Sequence, residues 1–269
     1  MAESEYLSKI EKMVWSYSRL QSFNSCPYKF FMKYISHCSS VDKFYATYGS
    51  WIHKLIERFY KGELSKDDML TEYLIGFSKH VKGTRPSKDI VKKYIELGAD
   101  YLRTFSPFPY NMVGVEKRVE FDIDGLKFLG FIDFLGEKDG EFYVVDNKSR
   151  DLKPRSKRSK PTKKDEELDS MLKQLYLYST PIKREFGKWP KALCFNCFKV
   201  GVFIEEPFNI EAYNHAVEWA TATVREIKET TDFYPNVDYF FCKYICDVSE
   251  ECEYHQIAQK ENRERRWRK

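Results

Sequence analysis

No stretch of the 269-residue sequence is apolar for long enough to span a membrane. The opening MAESEYLSKIEKM also lacks the apolar core of a signal peptide, so the expectation is a cytoplasmic chain with no membrane partner. No internal repeat is evident. Cysteine is sparse and odd in number, at seven. In a reducing compartment that excludes a disulfide framework and leaves metal ligation or core packing. A large charge of one sign is missing too: the net charge is only +4, too small to identify a partner. What is present, 42% hydrophobic and 32% charged residues, describes a soluble globular protein. The 17% of aromatic residues suits a core built from Phe and Tyr.

The distribution of charge is more informative than its sum. Arg150, Lys153, Arg155, Lys157, Arg158, Lys160, Lys163 and Lys164 crowd one short segment, and ENRERRWRK at the end is a second basic cluster. Such blocks are solvated segments or phosphate-contacting surfaces. Segment 150–164 also holds Pro154, Pro161 and few apolar residues, which predicts an exposed, mobile loop.

Hydrophobic spacing divides the chain. WSYSRLQSFNSCPYKFFMKYI starts at a serine cap and repeats apolar residues at helical spacing. YGSWIHKLIERFYKG is a second amphipathic helix stopped at Gly62, and two further helices open at serines. Residues 1–106 are therefore mainly helical. From 107 the pattern becomes strand, turn, strand, turn, strand, with Asp-Gly at 124–125 and 139–140 marking hairpins. A helix around ELDSMLKQLYLYSTPIKREFG, a strand pair, a long helix and a cysteine-bearing end follow. We expect one domain over 1–269: a helical part (1–106), a mixed α/β core (107–210) and a C-terminal helix with the cysteine region (211–269).

Within the core, EFYVVDNKSRD (141–151) ends an apolar strand on Asp146 and Lys148. Residues i and i+2 of a strand share a face, so both head groups enter one pocket. That is either a buried ion pair or a site. Asp133, on the preceding strand, can join them only in a suitable register. Two converging carboxylates would bind a hard divalent cation such as Mg²⁺ or Mn²⁺.

The order of these pieces resembles the RecB- and AddB-type branch of the PD-(D/E)XK nuclease superfamily, which includes the CRISPR-associated iron–sulfur exonucleases. The resemblance runs through SYSRLQSFNSCPYKFFMKY, GSWIHKLIERF, GFIDFLGEKDGEFYVVDNKS, QLYLYS and FYPNVDYFFCKYICDVSEEC, nearly the whole chain in the family's order. It implies a restriction-endonuclease-like fold, a central mixed sheet flanked by helices. It also implies a Mg²⁺- or Mn²⁺-dependent deoxyribonuclease acting on DNA ends, with a single-strand preference. Recombination, repair, phage replication and CRISPR adaptation are compatible roles. By this resemblance His53, Asp133, Asp146 and the carbonyl of Asn147 would hold metal, and Lys148 would assist the attacking water. Gln174 and Tyr178, four residues apart on one helical face, would hold DNA near the scissile phosphate. No G-x-x-x-x-G-K-[ST] loop is present, so unwinding would need a helicase or recombination partner. The alternative class is a non-catalytic DNA-binding or assembly module on the same fold.

The same resemblance joins Cys26 to Cys242, Cys246 and Cys252 as ligands of a [4Fe–4S] cluster clamping the two ends of the domain. The chain has C-x3-C where the family commonly has C-x2-C. Zinc is the alternative for four thiolates, and His255 an alternative ligand. Cys194 and Cys197 are expected in a strand, where i and i+3 face opposite ways, and Cys38 is expected to be structural.

Overall fold

The computed structural model describes residues 3–267, with side chains at 6–260 and 262. The basic tail 261–269 therefore lies almost wholly outside the described side chains. The chain opens with helices α1 (Glu3–Glu11), α2 (Tyr17–Ser25) and the short α3 (Pro27–Phe30). Three longer helices follow: α4 (Phe44–Tyr60), α5 (Lys66–His80) and α6 (Lys88–Arg103). Serine begins α2, α5 and α6 for a common reason. The hydroxyls of Ser16, Ser65 and Ser87 accept the otherwise unbonded N–H groups of Arg19, Asp68 and Ile90. Gly62, at φ +73°, follows the end of α4 in the left-handed conformation that a side chain would disfavour.

The sheet is built from β1 (Asn111–Ile123), β2 (Leu126–Lys138), β3 (Glu141–Asn147), β4 (Ala192–Cys197) and β5 (Val202–Pro207), in the order β1-β2-β3-β4-β5. The first three form an antiparallel meander whose turns lie at the two Asp-Gly pairs. All four turn residues have positive φ, as tight hairpins with right-handed strand twist require. β3 then pairs parallel with β4, a connection that needs the crossover helix α7 (Lys163–Phe186), and β5 returns antiparallel. The result is a five-stranded mixed sheet with flanking helices, the α/β class expected. Helices α8 (Ile210–Glu229) and α9 (Glu253–Trp267) complete the described chain. No helix of the described residues is long and apolar enough to cross a membrane.

Burial follows from this layering. Val144, Leu193 and Phe195 pack on one sheet face against Leu20, Leu172, Leu175 and Val224 of α2, α7 and α8. Tyr143, Val145 and Cys194 point to the other face, beside Phe108 and Phe134. β3 is thus buried on both sides, which explains its unbroken apolar run. Cys194 and Cys197 fall in different clusters, as their spacing predicts. The helices α4, α5 and α6 form a separate core around Trp51, Tyr73 and Leu102.

Two features differ from the sequence reading. The hexapeptides FFMKYI (30–35) and FFCKYI (240–245) are near copies, and each forms a π-helical turn, at Phe31–Ile35 and Phe241–Ile245. They are too short to register as a repeat among 269 residues. Segment 150–164 is largely exposed, as expected, but it is tied down rather than loose. Leu152 is buried, Arg155 pairs with Asp169 and Glu206, and Ser156 and Thr162 both donate to the Asp165 carboxylate.

Candidate active site

Register decides the heart of the site. β2 and β3 pair Phe134 with Val145, and one further step along the same register sets Asp133 against Asp146. Asp133 Oδ2 accepts the backbone N–H of Asn147 at 2.8 Å, fixing that carboxylate at the strand end. α4 packs over the same edge and delivers His53, whose Nδ1 lies 3.3 Å from Asp133 Oδ2 and whose Nε2 lies 2.6 Å from the Asn147 carbonyl oxygen. Asn147 is itself held by Asn196 of β4, which donates to its side-chain oxygen at 2.7 Å.

On the other side of Asp146, the Lys148 ammonium lies 2.8 Å from Oδ2 and donates to Gln174 Oε1 at 2.9 Å. The Gln174 amide donates onward to Asp146 Oδ1 at 3.0 Å and faces the Tyr178 hydroxyl at 3.5 Å. Lys148, Asp146 and Gln174 therefore form a closed ring of polar contacts, and α7 positions its third member. Gly130 on β2 makes the approach of α7 feasible: a Cβ there would meet the Tyr178 ring at 2.3 Å. His53, Asp133, Asp146, Asn147, Lys148, Gln174 and Tyr178 are thus brought to one place.

One member is not foreshadowed by the sequence. Glu116 of β1 joins His53 and Asp133, with one ligand atom from each within 4.8 Å of the others. Its neighbours Val115 and Lys117 pair with Phe134 and Ile132, which places Glu116 across from Asp133. It has φ +48°, a left-handed conformation that costs a non-glycine residue energy and persists only where the surroundings impose it. In the sequence it is one acid in a charged strand. Only the pairing of β1 with β2 distinguishes it.

The electrostatics favour a cation here. Burial, and next the charge of Asp146, push the Asp133 carboxyl well above the usual carboxylate range. Burial, and next the charge of Glu57, raise Glu116. Carboxylates crowded together in a desolvated place stay ionised only with a compensating positive charge. Burial also lowers His53, favouring the neutral ring. A neutral ring donates from one nitrogen only, so the other must turn a lone pair toward an oxygen. Carboxylate, carbonyl and imidazole donors around such a gap fit Mg²⁺ or Mn²⁺. A cleft of about 470 Å³, lined by His53, Glu116, Asn147 and Lys148, opens this group to solvent.

Five of the cysteines, all but Cys194 and Cys197 of β4, lie in the region beyond the other end of α2. Cys26 caps α3 and accepts from the N–H groups of Lys29 and Asn236, so it already bridges to the C-terminal segment. Cys246 and Cys252 pack with Met32 and Cys38 in one small cluster. Burial raises the thiols of Cys242, Cys246 and Cys252, with the other cysteines adding to it. Among the described residues these sulfurs do not form a group within 4.8 Å. Tetrahedral zinc, with Zn–S of about 2.3 Å, would need them closer; a cubane holds its cysteines wider apart. His255 Nδ1 lies 2.9 Å from the Ser249 carbonyl oxygen and Nε2 2.9 Å from the Gln259 amide nitrogen.

Taken together, the mixed sheet and the acid–lysine pair at the end of β3 define the class: a nuclease scaffold. More narrowly, the chain belongs to the PD-(D/E)XK nuclease superfamily, whose profile matches residues 14–253. A solved structure from Eubacterium rectale, provisionally assigned as an exonuclease, superposes with a TM-score of 0.51 at 15% identity. The match covers 96% of this chain and 92% of that one. That likeness shows the fold. A second solved structure, SSO0001, is 16% identical over 93% of this chain and 95% of its own, with a TM-score of 0.30. No curated protein matches the chain in sequence.

Proposed function

We propose that the protein is a divalent-metal-dependent DNA exonuclease of the RecB- and AddB-like branch, acting as one catalytic unit on DNA ends with a preference for single strands. The observation that carries this is the ring of Asp146, Lys148 and Gln174 set directly beside the group of His53, Glu116 and Asp133. An ion pair serving stability alone has no use for a third polar partner from α7 or for a strained glutamate from β1.

His53, Glu116, Asp133, Asp146 and the Asn147 carbonyl would hold Mg²⁺ or Mn²⁺. The ion would polarise the phosphoryl oxygen and acidify a water. The protein's own groups do the rest. Lys148 places positive charge where negative charge grows on the phosphate and orients the attacking water. Gln174 fixes the lysine, because its carbonyl oxygen accepts from Nζ while its amide donates to Asp146. Tyr178 keeps its proton, since burial raises it far above neutrality, and so offers a neutral O–H to a phosphate oxygen.

Cys26, Cys242, Cys246 and Cys252 would ligate a [4Fe–4S] cluster joining the two ends of the chain. The setting is the cytoplasm, with a helicase or recombination partner supplying unwound DNA for repair, recombination, phage replication or CRISPR adaptation. End-labelled single- and double-stranded DNA incubated with and without Mn²⁺ tests the reading. Progressive loss of the labelled end only with metal is expected. Binding without cleavage under every metal condition would instead identify a non-catalytic module.

A further inference from the structure

Beside the catalytic group, on the far side of Lys148, lies a second cavity of about 440 Å³. Its floor is shared with the site through Lys148, Gln174 and Tyr178. Its remaining walls come from α2, from Lys29 of α3, from Arg150, and from the two copied hexapeptides: Lys33 and Tyr34 from the first, Phe241 and Ile245 from the second. Four cations line it, Lys29, Lys33, Lys148 and Arg150, and no acidic side chain does.

Two details point to an anion. Lys29 and Lys33 both contact one carboxylate, Asp247, which lies outside the cavity's lining. Two ammonium groups against one carboxylate leave an excess positive charge at the wall. Arg150 adds another, with no acidic partner among the described residues. Second, Ser22 lines the cavity, is 8% exposed, and its hydroxyl has no hydrogen-bond partner. A buried hydroxyl left unsatisfied is destabilising, so an orphan at a cationic wall calls for a ligand that accepts.

We propose that this cavity is a phosphate subsite, which seats a nucleic-acid phosphate other than the one being cut. It rests on reading the neighbouring centre as a nuclease. Lys29, Lys33 and Arg150 neutralise the phosphate, Ser22 donates to it, and Tyr34 flanks the attached nucleoside. The adjacent lysine, Lys148, stays with the scissile group. The occupant is either a terminal monophosphate or the next internal phosphodiester, and the two share the same chemistry.

The test is binding of internally labelled single-stranded oligonucleotides carrying a 5′-phosphate, a 3′-phosphate or neither, in EDTA so that no cleavage intervenes. Lys33→Gln should weaken binding about tenfold and reduce the salt slope by up to about 0.7, the contribution of one phosphate contact on a single strand. Ser22→Ala, which removes only the orphan hydroxyl, should melt no lower than the parent and still lose affinity. If a phosphorylated end strengthens parental binding and Lys33→Gln erases that gain, the occupant is a terminal phosphate. Equal weakening of all three oligonucleotides assigns an internal one. Parental affinity and salt slope in folded Lys33→Gln overturn the subsite; should that variant not fold, parental affinity in Ser22→Ala does so. The nuclease reading is judged separately, by adding Mn²⁺. DNA held through Lys33 yet never cut would reject the nuclease and keep the subsite, whereas DNA cut by a protein indifferent to Lys33 would do the reverse.

Discussion

Lys148 and Asp133 are each held by contacts that serve the site more than the core, so their removal should act on chemistry first. Asp133→Ala and Lys148→Ala are expected to lower cleavage on the order of a hundredfold or more, with a melting temperature close to the parent's. Near-parental cleavage by either would show the site to be wrongly placed. Glu116 gives a sharper test, because only the tertiary arrangement nominates it. Glu116→Gln keeps the size but removes the anion, so the Mn²⁺ concentration for half-maximal cleavage should rise about tenfold. An unchanged metal requirement would make Glu116 a bystander of its strained backbone. Asp146 and Lys148 were legible as a pair from a strand that ends on charge. Glu116 was not, since nothing local separates it from Glu120 or Lys117.

Among the elements, α7 carries most of the arrangement, and it is fastened at both a sheet contact and a cap. Gly130→Ala would drive a methyl into the Tyr178 ring, costing about 1–3 kcal/mol and moving Gln174 away from Lys148. Lower melting temperature together with lower turnover is expected; a loss of neither would place α7 further from β2 than the structure does. The cap is a box of Thr162 and Asp165, and the Asp165 carboxylate accepts from the N–H and hydroxyl of both Ser156 and Thr162. Those bonds, the backbone ones first, hold its carboxyl far below the usual range. A group depressed on folding stabilises fully above its unfolded value of about 3.9 and loses that contribution as pH falls toward the folded one. Asp165→Ala should therefore melt below the parent at pH 7, and the gap should narrow below about pH 4. A gap independent of pH would mean that the cap works through packing. The same cap explains why the basic segment is held: its sequence carries the marks of a loose loop, but its partners Asp169 and Glu206 lie on other elements.

For the molecule as a whole, the two ends of the chain meet through the cysteine region. Cys26 already bonds Asn236, and Lys33 and Lys43 reach Asp247 and Ser249 across the same junction. A cluster at Cys26, Cys242, Cys246 and Cys252 would lock a closure of more than 200 residues. Protein purified without oxygen should then be brown and carry about four irons per chain. Cys26→Ala should lose the iron and melt well below Cys38→Ala. Stoichiometric zinc without iron would replace the cluster with a single-ion site and require the sulfurs to draw together.

Hydrophobic period, serine caps and Asp-Gly turns act over a few residues. The helical first part, the hairpins and the doubly buried β3 were therefore determined by the sequence itself, as was the ordered set of motifs that points to the superfamily. The strand register, the left-handed Glu116, the tethering of segment 150–164 and the cavity lined by the two copied hexapeptides were decided only by the tertiary structure. Each depends on which distant segments pack together. A one-residue slip of β1 against β2 would turn Glu116 to the opposite face without altering a single local signal in the chain.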